Sequence, residues 1–451
     1  MLYSHPERLD PPEGGDRPEP LMTPHTDPHP RPHRRQVLQW LSGNVLLFSG
    51  AALAAGKADR LGSGRLPLPL VQPGTFSAVP VPGAEQPLAP GERPAPRLPR
   101  LLIPEMPEVH RVEYAVSGLL EAAHAVVLVP AAAAPGHVLN LARTAVQRTF
   151  QVRGTLSEVA VSVYRAEGHR GFGGPPPLLT ASVPRLQLVE FLETLGRATG
   201  GYGRAWINPD TAPTPQRAPS PELERAPTFI GTPAALTRQR VQQLAAQLTG
   251  GAHGGVFFHG NPRRPLAALS FDDAPHPIYA PLLLDVLSRA GVKATFFCIG
   301  RNARAYPYYV RDMLAQGHEI GNHTFHHVRL TELPAETVMD ELEQCNSVLT
   351  GITGKPVTYF RPPGGRYSPE TLMVARSLGL TTTFWTDDPA DFNNPGQAVL
   401  AGRLSSKLRA GGIVLLHDNV LESLRVLPRF VEFAARQHVK LDTVAELAEQ
   451  A

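Results

Sequence analysis

The second half of the chain alternates short apolar strands with amphipathic helices, and this alternation limits the available folds more than any other feature. Strands are predicted at residues 266–271, 294–299, 319–322, 357–360, 381–385, 412–416 and 439–441. Parallel strands need long crossover connections, and helices with apolar residues three and four apart fill the intervals here. The pattern therefore predicts an α/β fold with a parallel sheet, which about seven such units can close into a barrel.

Polar residues follow several of these strands, and in barrels of this kind the chemistry lies at the carboxyl ends of the strands. Asp272 and Asp273 leave one strand in succession, so one carboxylate can bind a metal while the other faces a water on that metal. His323 and His327 are four residues apart, which puts two imidazoles on one face of a helical turn. Singly, each signal is weak. Together they predict a metal site, with His326 as an alternative ligand by register.

One Asp and two His ligands leave a coordination position open for water, which is typical of a catalytic zinc site rather than a structural one. The only two cysteines, Cys298 and Cys345, have no close Cys partner, so a Cys-rich zinc site is excluded. An Asp-His-His set also accepts cobalt, nickel or manganese, so the sequence predicts a divalent metal with zinc preferred.

Three further polar residues lie near predicted strand ends. His417 is placed to act as a general acid, and Asp391 to hold its ring and tune its basicity. Arg361 precedes two prolines that fix its loop, so its guanidinium can steady the anionic form of Asp272. Taken alone, His417 is more often a buried histidine bonded to backbone, and Arg361 a surface arginine in a rigid turn.

Five ordered motifs make a family resemblance specific. They are Ser270-Phe271-Asp272-Asp273, His323-Thr324-x-x-His327, Arg361-Pro362-Pro363-Gly364-Gly365, Asp388-x-x-Asp391-Phe392 and Leu415-Leu416-His417. In this order they resemble the motifs of the NodB-type polysaccharide deacetylases, carbohydrate esterase family 4, over roughly residues 265–447. The resemblance implies a distorted (β/α) barrel of about seven strands and removal of N- or O-acetyl groups from a polysaccharide.

Carried over position by position, the resemblance implies a role for each motif. It makes Asp272 the general base and His417 the general acid, with Arg361 and Asp391 supporting them. In family members a backbone N–H after the Arg-Pro-Pro turn helps the metal to hold the oxyanion, and here that group is the Gly364 N–H. The implied metal ligands are Asp273, His323 and His327.

The chain departs from the family pattern at three places. Ala274 stands where the family usually has Gly, which requires a backbone conformation that tolerates a β-carbon. Phe392 replaces the usual Trp and keeps an apolar wall of the substrate site without the indole N–H donor. Gly364-Gly365 replaces a bulkier residue followed by Gly, which removes a side chain that often lines the groove. No ligand, base or acid is lost, so the predicted change concerns substrate choice.

The predicted function is metal-dependent deacetylation of a cell-envelope glycan, with peptidoglycan ahead of chitin or xylan. Two alternatives are a glycan-binding wall protein that no longer turns over and an amidohydrolase with a closed pocket for a small amide. The formal net charge of +3 gives no strong field for nucleic acid. A polysaccharide is therefore the predicted partner, without nucleic acid and without a predicted protein partner.

Proline marks the unfolded parts of the chain, because 21 of the 48 prolines lie in the first 107 residues. Few large apolar side chains there can offset the entropy of ordering the backbone. Apolar periodicity between two Pro-rich stretches predicts a small α+β accessory domain without a catalytic constellation. The predicted division is a disordered tail (1–36), an apolar segment (37–56), a linker (57–107), the accessory domain (108–207), a linker (208–230) and the catalytic domain (231–451).

The apolar segment at residues 37–56 has the layout of an export signal, with Arg34-Arg35 before it and Ala52-Leu53-Ala54 near its end. The arginine pair also resembles the twin-arginine export motif. Polar side chains within the segment disfavour a permanent span, because they lose water in hydrocarbon. We therefore predict export, with membrane anchoring as the alternative, and an extracytoplasmic location in the cell envelope, the periplasm or the medium.

Overall fold

The structure is a computed structural model and describes residues 97–169, 174–209, 252–253 and 255–450. The predicted tail, the export or anchor segment and most of both linkers lie outside these residues. Among the helices described, none is long and apolar enough to cross a membrane.

The first folded unit is a six-stranded sheet with two helices packed on one face. Its strands follow the order β1-β2-β3-β4-β5-β6, and all neighbours are antiparallel except β3 and β4, which are parallel. The elements are β1 (Arg100–Leu101), β2 (Val109–Ser117), β3 (Leu120–Val129), α1 (Pro135–Val152), β4 (Glu158–Arg165), β5 (Leu179–Pro184), α2 (Leu188–Thr194) and β6 (Ala205–Ile207). The sheet starts earlier than the predicted boundary at residue 108, because β1 is a two-residue edge strand among prolines and carries no periodic signal.

The second unit contains the repeated strand–helix pattern. Its strands are β7 (Ala252–His253), β8 (Val256–Phe257), β9 (Leu266–Ala274), β10 (Thr295–Cys298), β11 (Glu319–Asn322), β12 (Tyr359–Phe360), β13 (Thr381–Thr383), β14 (Ile413–His417) and β15 (Lys440–Asp442). Its helices are α3 (Tyr279–Ala290), α4 (Gly300–Ala305), α5 (Pro307–Ala315), α6 (Ala335–Thr353), α7 (Pro369–Ser377), α8 (Gln397–Lys407), α9 (Leu421–Arg436) and α10 (Val444–Glu449). Short 3-10 turns lie at Leu330–Glu332, Pro363–Gly365 and Asp391–Asn393.

Six of these strands form a closed parallel ring in the order β14-β9-β10-β11-β12-β13. Closure comes from Asp387, just beyond β13, which forms a parallel bridge with Val414 of β14. The short strands β8 and β15 pair in parallel with β13 and β9, and β7 extends the sheet antiparallel to β8. The prediction of a distorted (β/α) barrel is confirmed. The predicted strands at 357–360 and 381–385 are shorter than expected, as β12 and β13.

The two units share a buried interface, because the first sheet presents a polar face to the barrel. Ser162 and Tyr164 of β4 lie on this face, and their hydroxyls are 3.0 and 3.2 Å from the hydroxyl of Tyr306 in the turn between α4 and α5. Arg204 donates two hydrogen bonds of 2.8 Å to the carboxylate of Asp312 on α5. Alternation of side chains along a strand sends the neighbouring valines of β4 into the other face, which packs on α1.

Candidate active site

The three predicted metal ligands meet at the carboxyl ends of β9 and β11. Asp273 Oδ1 lies 3.2 Å from His327 Nε2 and 3.6 Å from His323 Nε2, and the three ligand atoms all lie within 4.8 Å of one another. Donors bound to one tetrahedral zinc ion at about 2.1 Å are separated by about 3.4 Å. The three side chains are therefore spaced as ligands of one ion would be.

The local backbone, rather than a helical turn, brings the two histidines together. Residues 323–329 form no helix, and the His323 and His327 rings nevertheless lie 5.0 Å apart between centroids. Thr324 and His327 have φ values of 65° and 59°, and Asp273 has 70°, a left-handed region that non-glycine residues rarely occupy. The Thr324 hydroxyl accepts a 2.9 Å hydrogen bond from the His327 N–H. The helical turn predicted from the i, i+4 spacing of the two histidines is therefore wrong, although their rings do come together.

The donor set fits a divalent metal. His323 Nδ1 lies 2.8 Å from the Arg361 carbonyl oxygen, which only accepts, so Nδ1 carries the proton and the Nε2 lone pair faces Asp273. Burial lowers the pKa of His327 to about 4, which keeps its imidazole neutral. Asp273 Oδ1 is buried and has no hydrogen-bond partner among the described residues. An unsatisfied carboxylate oxygen beside two imidazole nitrogens is a typical zinc-binding arrangement.

His326, the alternative ligand by register, is directed away from this centre. Its Nδ1 lies 2.6 Å from Glu341 Oε1 on α6. The other carboxylate oxygen of Glu341 accepts the N–H groups of Phe325 and His326 at 3.1 and 2.9 Å. Glu341 therefore holds the histidine loop from behind and occupies His326, while the His323 and His327 rings converge on Asp273.

Asp272 and Arg361 form a buried ion pair beside the three predicted metal ligands. Arg361 is fully buried and donates from Nη1 to Asp272 Oδ1 at 2.8 Å and to the Ser270 hydroxyl at 2.9 Å. Its guanidinium also lies 4.0 Å from the centroid of the Phe297 ring. The second oxygen of Asp272 lies 3.7 Å from His323 Nε2. One carboxylate oxygen is therefore engaged by the guanidinium, and the other faces the centre.

His417 and Asp391 form a second buried pair at the end of the neighbouring strand β14, where His417 is in register with Asp272. His417 Nδ1 lies 2.8 Å from Asp391 Oδ1, while Asp391 Oδ2 accepts the His417 N–H at 2.8 Å and the Ser423 hydroxyl at 2.6 Å. Burial opposes the charged imidazole, but the Asp391 carboxylate outweighs it and raises the pKa of His417 to about 10. The ring is therefore protonated near neutral pH, with Nε2 not committed to Asp391.

Comparison with known proteins identifies the catalytic half of the chain. The family model described as polysaccharide deacetylase matches residues 259–383. The peptidoglycan-N-acetylglucosamine deacetylase of Bacillus cereus is 33% identical over 187 residues, which are 40% of this chain and 87% of that protein. The chain belongs to the NodB-type polysaccharide deacetylases, carbohydrate esterase family 4. By class it is a hydrolase of carbon–nitrogen bonds other than peptide bonds.

Two other relatives are also similar to less than half of this polysaccharide deacetylase. The peptidoglycan-N-acetylmuramic acid deacetylase PdaA of Bacillus subtilis is 36% identical over 196 residues, or 43% of this chain and 74% of that protein. A chitooligosaccharide deacetylase of Sinorhizobium fredii is 36% identical over 155 residues, or 34% of this chain and 72% of that protein. These matches leave more than half of the chain uncovered.

The backbone of this polysaccharide deacetylase explains two of its departures from the family motifs, at Ala274 and Gly364. Ala274 is fully buried in β9 and is not among the residues with positive φ, so no glycine is needed there. Gly364 and Gly365 have φ values of 63° and 64°, which favour glycine. The Gly365 N–H is bonded to the Pro362 carbonyl at 2.9 Å. Phe392 packs edge-on against His417, with ring centroids 5.6 Å apart.

Replacing Gly365 by alanine is expected to destabilise the deacetylase by about 2 to 5 kcal/mol, because two costs add. A left-handed alanine costs about 1–2 kcal/mol, and overpacking costs about 1–3 kcal/mol. The new β-carbon would lie 2.6 Å from Trp385, which flanks Arg361. Gly351 on α6 is the matched control, because its β-carbon would meet open space. G351A should keep or raise the midpoint of urea unfolding, and a G365A midpoint equal to that of wild type would refute the packing argument.

Several site residues were not predicted from the sequence. Asn419 donates from Nδ2 to Asp273 Oδ2 at 3.1 Å, and Ser423 bonds Asp391. Asn322 accepts the Thr324 N–H at 2.8 Å and donates to Asn346 at 2.7 Å, which fixes the start of the histidine loop. Asn419 follows His417-Asp418 directly, and this polar run after β14 is the one sequence signal from which Asn419 could have been predicted.

Proposed function

We propose that this protein is a metal-dependent deacetylase of N-acetylated polysaccharide, with a cell-wall glycan such as peptidoglycan as its substrate. The observation that supports this most strongly is the grouping of Asp273, His323 and His327 between two buried hydrogen-bonded pairs. The relatives named above are deacetylases of peptidoglycan and of chitooligosaccharides, which supports the substrate class.

Asp273, His323 and His327 would hold the ion, with zinc first and cobalt, nickel or manganese as alternatives. When bound, the ion supplies Lewis-acid polarisation of the acetyl carbonyl and a lowered pKa for water. The remaining chemistry belongs to side chains and backbone. Asp272 takes the proton of the attacking water on one carboxylate oxygen, while Arg361 holds the other oxygen by a hydrogen bond.

The developing negative charge on the carbonyl oxygen needs a hydrogen-bond donor, and the Gly364 N–H fills this role in the proposal. A positioned donor of this kind contributes about 3 to 4 kcal/mol to lowering the barrier. Phe392 forms an apolar wall for the acetyl group beside His417. The left-handed Gly364 leaves out the side chain that would otherwise narrow this part of the groove.

His417 completes the reaction as the general acid. Its imidazolium donates the Nε2 proton to the amine nitrogen as the carbon–nitrogen bond breaks, so acetate and the free amino sugar leave. Asp391 holds Nδ1 and stabilises the charged ring, and Ser423 fixes Asp391. The raised pKa of about 10 supports this assignment, because an acid must be protonated at the working pH.

The cellular location follows from the same proposal. A wall glycan lies outside the cytoplasmic membrane, so the enzyme must be exported to reach it. The predicted export or anchor segment at residues 37–56 would provide this, by the general or the twin-arginine route. N-terminal sequencing of the mature protein from the envelope fraction tests the export step.

Removal of the metal tests the function. The full chain is incubated with peptidoglycan, chitin oligomers and acetylxylan, with and without a chelator, and released acetate is measured. We expect release from at least one N-acetylated glycan, loss to background after chelation, and recovery with added zinc. Acetate release that a chelator and the measured metal content leave unchanged would contradict metal dependence. Glycan retention without acetate from any substrate would favour the silent binding protein.

A further inference from the structure

A cavity of about 320 Å³ lies between the first sheet and the barrel, on the side of the metal-binding residues. Both units contribute to its wall. The wall includes Arg111, Glu113, His124 and Tyr164 from β2, β3 and β4, and His276 and Tyr279 from the segment after β9. The first sheet is therefore part of a cleft that the barrel does not form alone.

The cavity adjoins the catalytic residues through Asn419, which lines it and donates to Asp273 at 3.1 Å. A second connection runs through the backbone. The His276 N–H donates to Asp418 Oδ2 at 2.9 Å, and the Asp418 N–H donates to the Asp272 carbonyl at 3.0 Å. A group bound in the cavity would thus lie next to the strand end that carries both aspartates.

The wall contributed by the first sheet is rigidly placed. His124 Nε2 lies 2.8 Å from the Ser162 hydroxyl, which in turn bonds the Tyr306 hydroxyl of the barrel. Arg111 and Glu113 are two residues apart on β2 and both line the cavity, with 3.7 Å between Arg111 Nε and Glu113 Oε2. The Arg111 side chain lines the cavity and remains 31% exposed, so protein does not fully enclose it.

The chemistry of the wall suits an acidic sugar. Arg111 and Arg97 outnumber the one acidic wall residue, Glu113, so the cavity favours an anion. Burial and the Arg111 charge lower the pKa of His276 to about 3, so this ring stays neutral. Its Nδ1 accepts the Ile278 N–H at 3.2 Å, so Nε2 carries the proton and is a donor. The His276 and Tyr279 rings lie 4.7 Å apart between centroids. Ring faces with neutral hydrogen-bonding groups match sugar rings and hydroxyls.

We propose that this cavity is a substrate subsite in which the first sheet binds the sugar next to the one that is deacetylated, and that Arg111 pairs with a carboxylate on that sugar. This assignment rests on the proposed function and adds the substrate class to it, namely an acidic N-acetylated glycan. The carboxylate can belong to the sugar substituent itself or to a peptide attached to it, and the two sources are separable by experiment.

The test compares Arg111→Gln with Arg148→Gln in the full chain. Arg148 lies on α1 with 47% of its side chain exposed, and its ion-pair partner among the described residues is the exposed Glu105 at 3.9 Å. Its removal therefore deletes a charge away from the cavity. Three substrates are used: a neutral chitooligosaccharide, an N-acetylated oligosaccharide with carboxylates on its sugars, and the same glycan with those carboxylates amidated to peptides.

We expect R111Q to lower the ratio of kcat/KM on the acidic glycan to kcat/KM on the neutral one by about tenfold, mainly through KM. R148Q should leave this ratio unchanged. A drop confined to the peptide-bearing glycan would assign the carboxylate to the peptide. An unchanged ratio in R111Q, or equal loss on acidic and neutral glycans, would overturn carboxylate recognition.

Two further measurements separate folding and turnover from recognition. Arg111→Lys keeps the charge but loses the planar fork, so it should show a smaller drop in the ratio. Calorimetric titration with the deacetylated acidic oligosaccharide measures binding without turnover. Arg111-dependent binding without acetate release from any substrate would overturn the proposed function and keep the subsite. Acetate release together with oligosaccharide binding that does not depend on Arg111 would overturn the subsite and keep the proposed function.

Discussion

Alanine at position 273 is expected to remove both the bound metal and the acetate-releasing activity. Asp273 is the only carboxylate in the three-residue group, and its unsatisfied Oδ1 is the atom closest to both imidazoles. A catalytic ion supplies several kcal/mol of charge stabilisation, and each 1.36 kcal/mol is tenfold in rate. We therefore expect kcat to fall by about 10⁴-fold or more, with metal content measured by mass spectrometry on the same sample.

Asp285→Ala is the matched control for this variant. Asp285 lies on α3 of the same barrel and pairs with Arg289 at 2.6 Å on the surface, so its removal deletes a carboxylate without touching the site. The control should retain metal and rate. Undiminished acetate release by a metal-free D273A protein would contradict the proposed role of the metal in catalysis.

Asparagine at position 272 is expected to spare the metal and lose turnover. The amide can still accept the hydrogen bond from Arg361, so the local shape is kept, but it cannot take the proton of water. General-base catalysis contributes about 10²–10⁴-fold, and kcat should fall by that amount. Zinc should remain near one ion per chain, which distinguishes the two adjacent aspartates.

The same substitution also leaves the fully buried Arg361 without its charged partner, so D272N should be less stable than wild type. Thermal unfolding and the retained metal show whether the protein assayed is folded. Asp285→Asn should change neither rate nor stability by a measurable amount. Loss of metal in D272N would mean that Asp272 is itself a ligand, and an unchanged kcat would place the base elsewhere.

The barrel and the identity of its strand-end residues were predictable from the sequence, because both depend on neighbours along the chain. β11 has the bounds that were predicted. Asp272 and Asp273, however, both reach His323 Nε2, at 3.7 and 3.6 Å, because Asp273 has a left-handed φ of 70° rather than an extended one. The convergence of His323 and His327 was predicted from a helical turn that does not form. Two left-handed residues bend the loop, and no periodic pattern encodes such a bend.

What holds the site was decided by contacts between distant parts of the chain. Glu341 reaches back to the histidine loop from α6, and Asn419 reaches Asp273 across 146 positions of sequence. A lone Glu on a helix carries no such signal, and the polar run that contains Asn419 does not say which residue it bonds, because the partner is set by tertiary packing. The arrangement of Asp272 with Arg361 was anticipated, since the prolines after Arg361 restrict its loop.

The first sheet shows most clearly what the sequence determines by itself and what only the tertiary structure decides. The sequence of β4 alternates apolar and polar residues, and by itself this determines one face for a core and one for a polar environment. Only the tertiary structure decides that this environment is the barrel rather than water. The Ser162 and Tyr164 hydroxyls find a partner in Tyr306, and that pairing removes the cost of burying them.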